Sequence, residues 1–262
     1  MYIRAQQKAH REVHILDDDE VSKCIRLRRS VRSFKEAEIE EEKLLKILEA
    51  AYWAPSAGGL HWIHVILVRE REKILEVLSK EGGYIKSDII NAILEDSISS
   101  RYLRNANAMI VVATNVLKYK QAYDDAITGG QQEWKDLSFG DLFAINDADL
   151  AALNMTLQAH ALKLGVCWIG HINGEKIRKL FEIDEKEAVM PVCILLIGYP
   201  DDEMEEKTRA IIDRIRNEQE TKKPKRATTE KIYKEERFGQ RLKALNALKK
   251  KIEEVKRLRG NT

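Results

Sequence analysis

Cysteine and proline are scarce in this chain of 262 residues. The three cysteines, Cys24, Cys167 and Cys193, are far apart and odd in number, which argues against a disulfide framework and fits a reducing cytosol. No apolar run approaches the roughly 20 residues that a bilayer-spanning helix needs. The stretch Met1–Asp19 is polar and ends in an acidic triplet, unlike a signal peptide. We therefore expect a cytoplasmic protein that does not enter a membrane.

Several motifs that hold phosphate or metal, or that activate a nucleophile, are also missing. The sequence has no G-x-G-x-x-G and no G-x-x-x-x-G-K-[ST], so neither a Rossmann nor a P-loop phosphate site is supported. It also lacks Cys-x-x-Cys, His-Glu-x-x-His and G-x-S-x-G. His10 and His14 are four residues apart with no third ligand nearby, so we predict no metal site. An enzyme can lack all of these motifs when a bound cofactor carries the chemistry.

Charge is plentiful and unevenly spread. Thr221–Thr262 holds 15 basic and 5 acidic residues, whereas the first 220 residues hold 30 and 38. Such a basic tail can bind nucleic acid or an anionic surface, or it can lie across an acidic body, its own or a partner's. We favour contact with an acidic body. Nucleic-acid binding is the lesser alternative, because Tyr233 and Phe238 are the only aromatic residues in the tail.

Hydrophobic periodicity predicts a mixture of helices and strands, arranged in about three layers around a small sheet. The predicted strands are short, rich in apolar residues and at most four in number: Trp62–Val68, Ala108–Ala113, Val166–Ile169 and Val192–Ile197. The predicted helices run from the acidic triplet to about Arg29, from after Glu38 to Ala54, and over Arg69–Glu81, Ser87–Arg104, Asp141–Leu164 and Gly174–Phe181. The helix Asp141–Leu164 is apolar nearly all round, which indicates a buried central helix.

Three further segments depart from this core pattern. Lys118–Phe139 has no clear period and is interpreted as a loop or lid. Asp201–Lys223 is charged and helix-prone, as expected of an excursion from the core. Thr229–Arg259 is a long helical candidate with an apolar seam from Leu242 to Leu258, which needs a surface to cover it.

Three segments carry candidate binding chemistry, and each has an ordinary alternative. Arg28–Arg32 places three guanidinium groups and a hydroxyl in five residues, which suits either a phosphate clamp or a solvated basic turn at a helix end. Ala54–Trp62 is a Pro/Ser/Gly loop that lets backbone approach a flat ligand, or else a plain helix-to-strand connection. Gly165–His171 offers backbone donors beside Trp168, whose alternative role is core packing.

The order of these segments is more specific than any one of them. Arg-Arg-Ser-x-Arg, an acidic helix start, Trp-Ala-Pro-Ser-Ala-Gly, the run from Asp147 to Met155, Gly-Val-Cys-Trp-Ile-Gly and a strand ending Ile-Gly-Tyr-Pro follow one another. From about Cys24 to Pro200 this pattern resembles the nitroreductase family of FMN enzymes. A weaker resemblance to the family's closing segment extends from Lys223 to Gly239. A helical insertion at about residues 201–222 would displace this segment along the chain.

The resemblance implies an α+β fold with three layers, a small mixed sheet covered by helices, and an intertwined homodimer with FMN at its interface. The nitroreductase-like domain would cover residues 17–240, followed by a basic amphipathic helix at 241–262. The cofactor-binding residues that the family pattern implies fall into four groups: Arg28, Arg29, Ser30 and Arg32 at the phosphate and ribityl end; Pro55, Ser56, Ala57 and Gly58 reaching the partner's flavin; Trp168, Ile169, Gly170 and His171 beside the ring; and Lys225 or Arg226 as a second phosphate contact.

Two positions depart from the family pattern. Gly59 stands where the family often has Asn, and His61-Trp62 where it has Gln-Pro-Trp. These changes put in doubt a side-chain hydrogen bond from this loop to the flavin, but not the role of its backbone.

The resemblance further implies that NADH or NADPH reduces the flavin and that an organic acceptor, such as a nitroaromatic compound or a quinone, then reoxidises it by ping-pong kinetics. No catalytic side chain is required. The alternatives are a protein that binds flavin or deazaflavin without turnover, and a relative with flavin-cleaving or dehalogenating chemistry.

Overall fold

The computed structural model describes residues 19–79, 88–95, 97–125, 133–134 and 137–218. Contacts divide the chain into two units, one over Glu20–Ile215 and one formed by Met1–Asp19 and Arg216–Thr262. Nearly all of the second unit lies outside the described residues, as do His10, His14, Lys225, Arg226 and the apolar seam. Over the described part, no helix is long and apolar enough to cross a membrane.

The described secondary structure follows the predicted order closely. The helices are α1 (Glu20–Leu27), α2 (Glu41–Tyr52), α3 (Arg71–Val77), α4 (Asp88–Glu95), α5 (Ser97–Arg104), α6 (Val116–Lys120), α7 (Phe139–Ala161), α8 (Gly174–Leu180) and α9 (Asp202–Glu218). The strands are β1 (Ile63–Val68), β2 (Ala108–Asn115), β3 (Glu133–Trp134), β4 (Leu137–Ser138), β5 (Gly165–Ile169) and β6 (Val189–Gly198).

Four strands form the central sheet in the order β1-β2-β6-β5. All eight residues of β2 are buried, as its continuous apolar sequence predicts for a central strand. Each neighbouring pair is antiparallel. The resemblance implied a mixed sheet; among the described residues, parallel pairing to this sheet occurs only at the isolated bridge between Ser30 and Val166.

Helices cover both faces of this sheet. Side chains along β2 alternate, so that Met109 and Val111 pack on one face and Ile110 and Val112 on the other. The first face packs against apolar residues of α3, α4, α5, α8 and α9. The second packs against α2 and α7. This arrangement confirms the predicted α+β fold with three layers.

The central helix α7 begins after an N-cap at Ser138. The Ser138 side chain accepts a hydrogen bond from the N–H of Asp141, and the Asp141 carboxylate accepts one from the N–H of Ser138, which forms a capping box. Ala148, Ala151 and Met155 are buried against the sheet. The prediction of a buried central helix is therefore confirmed for this side, whereas large apolar residues on the other side are exposed.

Part of the segment predicted as a loop or lid, Lys118–Phe139, forms regular secondary structure. Lys118–Lys120 belongs to helix α6, because the side chain of Asn115 at the end of β2 accepts a hydrogen bond from the N–H of Lys118 and starts a helix there. Gln121–Asp125 continues as a π-helical turn, and Glu133–Trp134 pairs with Leu137–Ser138 as two short strands. The loop interpretation was therefore wrong for these residues, and so was the limit of four strands, because six are described. The helix predicted over Ser87–Arg104, by contrast, is described as helical over Asp88–Glu95 and Ser97–Arg104.

Helix α9 packs on the core instead of leaving it, so the predicted excursion was wrong for its described part. Met204, Thr208 and Ile212 are buried at a spacing of four residues, and Ile212 joins the core on the α3–α5 side of the sheet. The hydroxyl groups of Ser33 and Thr208 lie 2.8 Å apart and share a hydrogen bond. The charged composition that suggested an excursion belongs largely to the exposed side of this helix.

Candidate active site

The arginine segment and the tryptophan turn lie side by side along one sheet edge. Ser30 forms its parallel bridge with Val166, and the N–H of Val31 donates to the carbonyl of Val166 at 3.0 Å. Both segments therefore run in the same direction from this point. This pairing brings Arg28, Arg29, Ser30 and Arg32 to the strand that continues into Trp168–His171.

Exposure changes along that turn. Ile169 is buried in the sheet and Trp168 is half-buried, while Gly170 and His171 are exposed. Among the described residues, a Cβ atom added at Gly170 would have one neighbour within 4 Å, the Trp168 indole nitrogen at 3.9 Å. The backbone after β5 is thus open to close approach by a flat molecule.

Arg32 is held by its backbone, while part of its side chain has no hydrogen-bond partner in the part of the chain that the structure describes. Its N–H donates to the buried carboxylate of Glu205 at 2.6 Å, and its Nη1 donates weakly to the carbonyl of Ser30 at 3.4 Å. The Nε–H group is buried, and no acceptor for it lies among the described residues. A buried guanidinium donor without a partner is costly, so an anionic ligand placed here would relieve that cost.

A cavity of about 280 Å³ opens beside this segment, between the ends of α1 and α7 and the start of α9. Its charged and titratable lining side chains are Arg28, Arg29, His160, Lys163, Asp202, Glu205 and Arg209. Burial lowers the pKa of His160, and the positive charges of Lys163, Arg28 and Arg29 lower it further. Basic residues outnumber acidic ones, so the cavity favours an anion.

His160, Lys163 and Arg209 were not predicted from the sequence. They belong to no motif, and they reach the cavity because α7 ends beside α1 and α9 begins there. Arg29 also acts in part as a basic residue at a helix end, the alternative that the sequence left open. Its Nη1 donates to the carbonyls of Arg26 and Arg28 at 2.8 and 3.0 Å. Such bonds satisfy carbonyl groups at the helix end.

The Pro55–Gly58 loop lies elsewhere on the chain. The N–H of Ala57 donates to both carboxylate oxygens of Asp147, at 3.1 and 2.9 Å. Asp147 and His160 are 13 positions apart on α7, which is a rise of about 20 Å along a helix. One chain therefore does not bring this loop to the arginine segment, and the predicted cofactor-binding residues fall into two separated groups.

The two departures from the family pattern have clear structures. Gly59 adopts φ +68°, with nothing within 4 Å of an added Cβ. The exposed His61 ring stacks on Tyr52 at a centroid distance of 5.5 Å, while the half-buried Trp62 packs edge-on against Tyr119 at 5.3 Å. Neither side chain reaches the arginine segment of its own chain by a described contact.

Comparison with known proteins assigns the chain to a family. The family model described as "Nitroreductase family" matches residues 25–199. A protein of Archaeoglobus fulgidus named as an NADH dehydrogenase/NAD(P)H nitroreductase is 32% identical over 71% of this chain and 88% of its own length. A Bacillus subtilis protein named FMN reductase [NAD(P)H] is 25% identical over 78% of this chain and 74% of its own.

Structural comparison agrees with this assignment. A nitroreductase family protein from Clostridium novyi NT matches with a TM-score of 0.54 at 24% identity, over 71% of this chain and 88% of that protein. At that identity the match supports the fold alone. The family model covers more than half of the chain, including both the arginine segment and the tryptophan turn, and shows that this chain belongs to the nitroreductase family.

Proposed function

We propose that this chain is an FMN-dependent NAD(P)H oxidoreductase. When bound, the flavin would supply the redox chemistry, which is hydride transfer at N5 from NADH or NADPH and electron transfer to an organic acceptor such as a nitroaromatic compound or a quinone. The observation that carries the proposal is the parallel pairing of Ser30 with Val166. It aligns a cluster of phosphate-binding side chains with an exposed glycine turn suited to a flat ring.

The residues present fit the phosphate end of FMN. Arg28 and Arg29 line a cavity with excess positive charge, and Arg32 holds a buried Nε–H donor to which the described part of the chain offers no acceptor. Guanidinium groups bind phosphate oxygens by charge-assisted hydrogen bonds. Ser30 and Arg32 would hold the ribityl side, and Lys225 or Arg226 stays a proposed second phosphate contact.

The residues after β5 fit the flat ring. Gly170 leaves room for a ligand, and the half-buried Trp168 is adjacent to it. We propose that Trp168, Ile169, Gly170 and His171 run beside the isoalloxazine, with the N–H of Gly170 or His171 near N5. A backbone donor there would stabilise negative charge on the reduced ring without a protein acid.

The loop at Pro55–Gly58 fits the flavin of a partner subunit. It lies about 20 Å along α7 from the arginine segment of its own chain, so a second copy is needed to bring it there. Large hydrophobic residues are exposed on α1 and α2, which both contact α7, and on α7 itself: Val21, Ile25, Leu45, Tyr52, the adjoining Trp53, Leu150 and Leu153. We call these seven residues the apolar face. Covering it would favour a homodimer.

The remaining domain assignments stand as proposals. We propose that residues 17–240 form the nitroreductase-like domain, that 201–222 is an insertion relative to the family, and that 241–262 is a basic amphipathic helix. The packing of α9 on the core is compatible with an insertion, since an inserted helix can be covered by the body from which it departs.

Steady-state kinetics tests the mechanism. The protein as purified, supplemented with FMN, is assayed with NADH or NADPH and a quinone at several fixed concentrations of each. Ping-pong transfer predicts parallel double-reciprocal lines, because the two substrates use the same site in turn. Intersecting lines would contradict this mechanism, and a colourless protein that ignores added FMN would refute the proposed function itself.

A further inference from the structure

The buried carboxylate of Asp147 has no part in the proposed reaction. Asp147 is 4% exposed on α7, where it accepts the N–H of Ala57 on both oxygens and a short hydrogen bond from the hydroxyl of Tyr119. A buried carboxylate requires such donors to offset its lost hydration. The three groups therefore form a fixed contact between α7, α6 and the Pro55–Gly58 loop, which we call the Asp147 clamp.

The Tyr119 side of the clamp is closely packed. The Tyr119 side chain is fully buried, and the Trp62 ring packs against it at an interplanar angle of 79°. Burial and the hydrogen bond to Asp147 both raise the pKa of Tyr119. Tyr119 therefore keeps its proton at neutral pH and acts as the donor to Asp147.

On the loop side of the clamp, the Tyr123 side chain packs closely against the backbone at Gly58. Gly58 follows Ala57 with φ +60°, and a Cβ atom added there would lie 2.8 Å from the Tyr123 hydroxyl oxygen. The Tyr123 ring in turn packs on Phe143 of α7 at 4.6 Å. The N–H of Ala57 thus points into the protein toward Asp147, whereas Pro55 and Gly58 on either side of it are exposed.

We infer that Asp147 is a positioning residue for flavin binding. It fixes the Ala57–Gly58 backbone in the conformation in which the loop meets the flavin, and Tyr119 holds the carboxylate in place. This inference rests on the proposed function, because it gives the loop its role. It adds to that function a residue that touches neither cofactor nor substrate.

Three substitutions test the clamp. Asp147→Ala removes both acceptors, whereas Asp147→Asn keeps one carbonyl oxygen for the Ala57 N–H. Asp149→Ala is the matched control, because it removes the same charge from an exposed position two residues along α7. Each variant is measured twice: hydrogen exchange of the Ala57 amide without flavin, and the Kd for added FMN together with the visible flavin spectrum.

For Asp147→Ala we expect about tenfold faster Ala57 exchange and about tenfold weaker FMN binding, the effect of losing one charge-assisted hydrogen bond. Asp147→Asn should recover most of both losses, and Asp149→Ala should match the original chain. A purely structural role predicts lower stability without a change in the Kd or spectrum of the folded variant. That result, or unchanged Ala57 exchange, would overturn the inference.

A second variant covers the case in which Asp147→Ala does not fold. Tyr119→Phe removes only the hydroxyl that holds Asp147, and we expect about threefold changes in the same two measurements; no change in either would overturn the inference. Failure of the unmodified chain to take up FMN would instead refute the proposed function, whatever the Ala57 exchange shows.

Discussion

At the scale of single residues, we expect the pKa of His160 to report whether an anion occupies the cavity beside Arg28. Its pKa lies below the ordinary value because of burial and the nearby positive charges of Lys163, Arg28 and Arg29. Asp202, Glu205 and Arg209 line the same cavity. A phosphate group placed among these charges would favour protonated His160 and raise its pKa.

NMR titration of the His160 ring checks this prediction. We expect the midpoint to lie below that of an unperturbed histidine in the flavin-free protein and to rise when FMN is added. His64 of β1, whose pKa is likewise lowered chiefly by burial and which does not line this cavity, provides a comparison within the same spectrum. A His160 midpoint that does not respond to FMN would place the phosphate elsewhere.

Two glycines near the proposed ring site should respond in opposite ways to an added side chain. Valine at Gly170 meets open space, so Gly170→Val should fold normally but bind FMN at least about tenfold more weakly. Alanine at Gly165 would place its Cβ 2.7 Å from that of Val31, so Gly165→Ala should lower stability. Thermal unfolding and FMN titration separate the two effects. Normal FMN binding by Gly170→Val would argue against a ring at this turn.

At the scale of elements, the packing of α9 predicts different costs for two adjacent isoleucines. Ile212 is 3% exposed in the core, whereas Ile211 is only half-buried. Ile212→Ala should lower the free energy of unfolding by about 2–4 kcal/mol, and Ile211→Ala by roughly half as much or less, because less apolar surface and a smaller cavity are involved. Denaturant unfolding of both variants measures this. Equal losses would mean that α9 is not anchored through Ile212.

Local signals predicted most of the described elements, and tertiary contacts account for the misses. The apolar run of β2, the cap of α8 at Asn173 and the long period of α7 are all readable within a few residues of chain. The α6 helix was missed because its start depends on one Asn115 side chain. The packing of α9 was missed because a charged composition hides three buried positions spaced by four.

In the candidate site, too, the residues with a local sequence signal were predicted, and those brought in by tertiary packing were not. The arginine segment and the tryptophan turn were predicted from motif order, and the structure places them together at Val166. His160 and Arg209 could not be predicted, since they reach the cavity only through the packing of three helices. The Asp147 clamp joins positions 57, 119 and 147 and has no local sequence signal either.

At the scale of the whole molecule, the apolar face predicts a dimer that charge can disrupt. Leu153 of α7 is 42% exposed within this face, and Leu117 of α6 is 48% exposed outside it. Leu153→Lys should shift the protein toward monomer, because an ammonium group would be buried at the interface without a partner. Leu117→Lys should leave the oligomeric state unchanged. Sedimentation velocity distinguishes the two outcomes, and a dimer that tolerates Leu153→Lys would exclude this face as the interface.

Flavin content should follow the oligomeric state. The two groups of cofactor-binding residues are separated on one chain, so a monomeric Leu153→Lys variant should also bind FMN weakly. A monomer that retains FMN with full affinity would show that the Pro55–Gly58 loop of a second copy is not needed.

The central claim is that the arginine segment holds a phosphate while the adjacent turn holds a flavin ring. Titration with FMN and with riboflavin, which lacks the phosphate, tests it directly in the unmodified chain, in Arg28→Ala and in the control Arg101→Ala, which alters an exposed arginine of α5. We predict that the unmodified chain and Arg101→Ala bind FMN far more tightly than riboflavin, and that Arg28→Ala narrows this difference about tenfold or more. Equal binding of the two flavins by the unmodified chain, or binding of neither, would contradict the account.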